Sequence, residues 1–145
     1  MTHAIEARPY GPNSTPEEVE ALRARVYVFE PSILYWDEIP THTPFSLGVI
    51  QEQLALLARE QTGPFGILID LDKVIPPNAE IRALLRHTVE QMLAAAQRVA
   101  IYTGPSPIVA VAAKFVVGVT MGFGRIKLFS SREKALEDLR HALGR

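Results

Sequence analysis

The chain has 145 residues, 48% of them apolar and 21% charged, which suits one globular domain and is too short for two. Fifteen Lys and Arg stand against sixteen Asp and Glu, a formal net charge of −1. That leaves no basic excess to neutralise phosphates and argues against a general nucleic-acid binder. The absence of cysteine excludes disulfides, thiolate nucleophiles, Cys-type zinc sites and iron–sulfur ligation together.

Residues 1–14 carry Pro9, Gly11, Pro12 and Asn13 with little apolar content and read as a flexible lead-in. They show neither the basic-then-apolar order nor the small-residue cleavage site of a secretory signal. The run Thr15-Pro16-Glu17-Glu18 is a capping box with Pro at the first helical position, opening a short helix to about Arg23 with Val19 and Leu22 inward. Two β-rich runs follow, 25–29 and 33–38, around the turn residues Glu30-Pro31-Ser32. They predict a hairpin that Pro40 terminates.

Thr43-Pro44 opens a helix to about Glu60, with Phe45, Leu47, Ile50, Leu54 and Leu57 at helical spacing. Gly63-Pro64 stops it, and residues 65–71 form a nearly continuous apolar run, the pattern of a strand covered on both faces. Pro76-Pro77-Asn78 starts a helix to about Gln97. Residues 98–104 predict another buried strand. Pro105-Ser106-Pro107 starts a further helix to about Met121. Residues 125–131 alternate more than their neighbours, as expected of a strand with one wetter face or of one at an edge. Ser131 opens a last helix to about Leu143.

A hairpin followed by helices alternating with strands demands crossover connections. The expected fold is therefore α/β, or α+β by some conventions. It is a mixed sheet of about five strands with helices packed on it, forming a single domain over residues 15–145. The longest apolar stretch, residues 108–123, has Lys114 at its centre and is shorter than the ~20 residues a spanning helix needs. No transmembrane segment and a cytoplasmic location are expected.

Three segments carry a family resemblance. GILIDLDKV (66–74) is a strand ending in an Asp-rich turn. RVAIYTGPSPIVAVAAKFVVG (98–118) is a strand, a Gly/Ser loop and an apolar helix. IKLFSSREKALEDL (126–139) ends in Phe and then a charged helix. Together with the element order, they make residues 24–143 resemble the STAS fold of anti-sigma-factor antagonists, most closely the compact bacterial STAS-like or SpoIIAA-like regulatory proteins. The resemblance implies signalling through protein–protein contact rather than catalysis. Partner-switching members carry a phosphorylatable Ser or Thr at the start of the helix after the central strand. Here Pro76-Pro77-Asn78 occupies that region, and no Ser or Thr lies between Leu71 and Arg86, so the usual phospho-switch is missing.

Asp70 and Asp72 flank Leu71 at a strand's carboxyl end, where paired carboxylates could serve a metal or acid–base chemistry. Turn and helix-entry capping is the simpler reading. Ser106, in Thr103-Gly104-Pro105-Ser106, reads as an N-cap ahead of Pro107 rather than an anion site. His3, His42, His87 and His141 are scattered and read as surface residues, with His42 alone placed to meet a pocket. Tyr35 and Trp36 must point to opposite faces, so one is expected in the core and the other at an interface or in solvent.

The helix from Ile108 is apolar nearly all round, with Lys114 its only charge. Either it lies deep, or its outer side is a dimer face, a partner groove or a lipid-contacting patch. The preferred function is a non-catalytic STAS-like regulatory or scaffold protein with a protein partner, a homodimer among the options. Its expected interaction surface is Ile108, Val111, Lys114, Phe115 and Val119, with loop contacts at Asp72, Asn78 and Ser106. The alternative is a small-ligand or lipid-binding module using the surface around Phe115 and Val119, with residues 103–106 holding a polar head. A small hydrolase or transferase using Asp70, Asp72 and His42 is a third option. No catalytic residue, metal or cofactor is expected, and no nucleic acid.

Overall fold

The computed structural model of the chain describes residues 10–117 and 125–145. Its elements run α1 (Pro16–Arg23), β1 (Val26–Glu30), β2 (Ile33–Asp37), α2 (Pro44–Arg59), β3 (Gly66–Asp70), α3 (Ala79–Ala95), β4 (Arg98–Tyr102), α4 (Pro107–Val117), β5 (Ile126–Phe129) and α5 (Arg132–Ala142). The five strands form one sheet in sequence order. β1 and β2 are antiparallel, and β2 through β5 are parallel. This is the expected α/β mixed sheet with an opening hairpin.

Local chemistry sets the helix starts. Thr15 and Thr43 each cap a helix with a reciprocal box, Thr15 with Glu18 and Thr43 with Ser46, and Pro follows both. The Asn78 side chain accepts from the Ile81 N–H, and Ser131 accepts from Lys134. The hairpin turns at Pro31-Ser32, where Ser32 takes a left-handed conformation (φ 68°) normally left to Gly or Asn.

Crossovers of one hand carry α2, α3 and α4 to the same face of the parallel strands. There, Leu34, Trp36, Ile67, Ile69, Val99 and Ile101 meet Ile50, Leu54, Val89, Met92 and Val116 in the main core. The opposite face is smaller. Ile33, Tyr35, Leu68 and Ala100 pack against Ala135, Leu136 and Leu139 of α5. Gly66 makes this approach feasible, since a Cβ there would lie 2.9 Å from Leu139 Cδ2.

Tyr35 and Trp36 do face opposite sides, but both are buried, against the expectation that one would reach solvent or an interface. The reason is that β2 is covered twice. Helices cover Trp36, and the rings of Tyr27 and Phe29, each 5.4 Å from Tyr35, cover the other side together with α5. β5 lies at an edge of the sheet, one of the two arrangements its alternation allowed. Tyr10 packs on the main core and its carbonyl accepts from Thr43 Oγ1 at 2.7 Å, so the segment before α1 is anchored from that residue onward. Residues 1–9 of the expected lead-in lie outside the described residues.

Ion pairs fasten α5 to the sheet. Arg98 grips Asp138 with two parallel bonds of 2.8 and 2.7 Å. Arg140 and Arg145 both reach Glu30 at the hairpin. The Arg140 hydrogen bond, opposed by slight burial, holds the Glu30 carboxyl below its ordinary range. A carboxyl lowered by folding stabilises the protein above its unfolded value, about 4.3. That contribution is lost as pH falls through the folded value. Urea midpoints of wild type and Glu30→Gln are therefore expected to differ at pH 7 and to converge towards pH 3. A difference independent of pH would show that the charge is not responsible.

Among the described residues, no helix is long and apolar enough to cross a membrane.

Candidate functional site

Parallel pairing aligns the carboxyl ends of β2, β3, β4 and β5, so the loops opening α2, α3, α4 and α5 lie along one edge of the sheet. This edge is where ligand sites of open α/β sheets form. It carries Glu38, His42, Asp70, Asp72, Asn78 and Ser106, and the sheet divides them between its two faces.

On the α5 face, Asp70 is buried at the end of β3. Its Oδ2 accepts from the Tyr35 hydroxyl and from Arg132 Nε at 3.0 Å, and its Oδ1 accepts from the Asp72 N–H at 3.0 Å. Arg132 also lies over the Tyr102 ring, 4.8 Å from its centroid. Burial first, and the bond to Asp70 next, push the Tyr35 hydroxyl well above its ordinary value, so it remains a donor. The turn-capping reading of Asp70 holds through the Asp72 N–H. Tyr35 and Arg132 come from segments remote from Asp70, and no local pattern in the chain joins the three. Asp72 is exposed and lies against Gly104, where φ is +70° and a Cβ would lie 3.0 Å from Asp72 Oδ1. Among the described residues, no group of three His, Asp or Glu could hold a metal ion.

On the helical face, Glu38, His42 and Ser46 follow one another at four-residue spacing. The His42 side chain is only 3% exposed, which corrects the expectation of a surface histidine. Its ring is held between Ser46 Oγ, 2.7 Å from Nδ1, and Glu38 Oε1, 2.5 Å from Nε2. Trp36 Nε1 donates to the same Glu38 oxygen at 3.2 Å, and the Ile39 N–H does so at 2.9 Å.

Hydroxyl, imidazole and carboxylate in this order form the relay of a serine hydrolase. Here the hydroxyl is spent on the chain. Ser46 is fully buried, accepts from the Thr43 N–H at 2.9 Å and lies 3.0 Å from the Thr43 carbonyl. The relay serves as the cap of α2. Asp70 and His42 lie on opposite faces of the sheet, so the set Asp70, Asp72 and His42 is not assembled. His87 and His141 are exposed, and His3 lies outside the described residues.

Asn78 and Ser106 act as caps, Ser106 Oγ accepting from the Val109 N–H at 3.3 Å. Thr103 is buried, with its hydroxyl directed to the Gly104 and Phe129 carbonyls. Residues 103–106 therefore do not present a free polar cradle, which corrects that part of the ligand-binding alternative.

On α4, Val109, Ala113, Val116 and Val117 are buried, while Ile108 and Val111 are 68% and 54% exposed. Lys114 is exposed beside them. Val119 and the side chain of Phe115 lie outside the described residues. Beneath α4, an apolar hollow of about 70 Å³ is walled by Trp36, Ile69 and Ile101 of the sheet and by Val89, Val109 and Val116 of the helices. Glu38 is the one ionisable residue among the described residues that line it.

No protein-family model and no curated protein matches this chain.

Proposed function

We propose that the chain is a non-catalytic, STAS-like regulatory or scaffold protein of the cytoplasm that acts by protein–protein contact through the outer face of α4. The observation that carries this reading is the pair Ile108 and Val111, one turn apart and exposed on a helix whose other side is built into the core. Contiguous exposed apolar surface is where partner contacts form. The order of strands and helices agrees with the resemblance drawn from the sequence. At the carboxyl edge, Asn78 and Ser106 are engaged as caps and Asp70 in the network with Tyr35 and Arg132.

Ile108→Asp with Val111→Asp tests the reading, because neither residue supports the core. The double variant is expected to keep the wild-type melting temperature. It should lose either concentration-dependent self-association in sedimentation or binding to a partner reconstituted from purified components. A double variant that associates as wild type does, or a wild type that binds neither itself nor any partner, removes the proposal. Val116→Glu would be a poor probe, since Val116 is buried in the core.

A further inference from the structure

Glu38 stands at the wall between two hollows. The inner one is the apolar space beneath α4. The outer one, about 280 Å³, lies between the loop after β2 and the loop before α3, where Pro40, His42 and Asn78 form its rim. Glu38, Val74, Pro76, Pro77 and Leu85 line both.

The Glu38 carboxylate is used unevenly. The residue is 3% exposed. Its Oε1 takes the Trp36, Ile39 and His42 donors, while its Oε2 takes none among the described residues. An ionised carboxylate has acceptor capacity on both oxygens. No Lys, Arg or His among the described residues lines the inner hollow.

We infer that this inner hollow is a binding site for a small primary aliphatic amine, the ammonium bonding to Glu38 Oε2 and the carbon chain lying among Ile69, Ile101, Val109 and Val116. Charge selects the head group. An ammonium–carboxylate bond is roughly twice as strong as a neutral one, and it is strengthened where water is excluded. A carboxylate ligand would meet Glu38 with like charge. Size selects the tail. A water-sized group occupies roughly 10–15 Å³ by the same measure, so 70 Å³ admits about five to seven non-hydrogen atoms. The site lies on the inner side of α4 and is independent of the outer face proposed for partner contact.

Trp36 is the only tryptophan in the chain and lines the hollow, so its emission reports occupancy. The full chain would be titrated with n-butylammonium, n-butanol and butyrate, with backbone amide NMR in parallel. Saturable binding is expected for n-butylammonium, at least tenfold weaker binding for n-butanol, and none for butyrate. Glu38→Gln should abolish the preference for amine over alcohol. Because that change also alters the His42 bond, Ala113→Leu serves as a second variant. It fills the hollow and leaves Glu38 intact, and after its fold is checked by circular dichroism it should no longer bind the amine. Ile108→Asp should bind as wild type. The assignment is overturned if n-butanol binds as tightly as the amine, if Ala113→Leu binds undiminished, or if n-butylammonium changes neither the emission nor the amide spectrum.

Discussion

Leu139→Ala is expected to lower the free energy of unfolding by about 3 kcal/mol. Leu139 is fully buried, and α5 supplies the helical cover for the smaller core, so the side chain stands between Gly66 and the Leu68–Ala100 surface. Its removal leaves a cavity that the sheet cannot close, because Gly66 has no side chain to fill it and the backbone beneath is fixed by pairing on both sides. On the opposite face, where four helices share the load, a single truncation has more neighbours able to relax. Urea unfolding would measure the loss as a lower midpoint at unchanged slope. Leu56→Ala, at a largely exposed position of α2, is the control and should change stability by less than about 0.5 kcal/mol. A loss at Leu139 no larger than the control's would mean that α5 does not close the second core.

Asp70→Leu is expected to cost about 2 kcal/mol, below the ~3–5 kcal/mol typical of breaking a wholly buried pair, because Arg132 is 46% exposed and can turn to water. Most of the loss falls on Tyr35. Its hydroxyl is buried and would be left without its acceptor. Adding Tyr35→Phe and Arg132→Met to Asp70→Leu should therefore recover at least half of the loss, since the polar groups are then removed together. If the triple variant is no more stable than Asp70→Leu, the cost arises from packing or from the lost Asp72 N–H bond, and the network is not a coupled unit.

These networks show where sequence reading stops. The elements were legible because their signals are local. Thr15-Pro16 and Thr43-Pro44 satisfy orphan N–H groups within four residues, and the periods of the apolar residues belong to each segment alone. The mixed sheet with an antiparallel opening hairpin also followed, since strands separated by helices need crossover connections. The burial of both Tyr35 and Trp36 was not legible, because alternation says that they face apart and not what covers each face. The partnership of Asp70 with Arg132 joins residues 62 positions apart, and no local pattern marks it.

His42 is the instructive intermediate. The four-residue spacing of Glu38, His42 and Ser46 is written in the chain, yet it spans a loop and the first turn of α2, where spacing does not fix geometry. Only the fold turns the ring inward between the other two.

The sequence by itself determined the class of fold, the positions of the helix caps and the apolar character of α4. Tertiary structure alone decided which side of α4 is exposed, that Ser46 is sealed as a cap, and that Glu38 lines an apolar hollow. The physical reason is range. Capping and periodicity are set by neighbours a few residues away, whereas burial and the pairing of charges depend on which distant surfaces the sheet brings together.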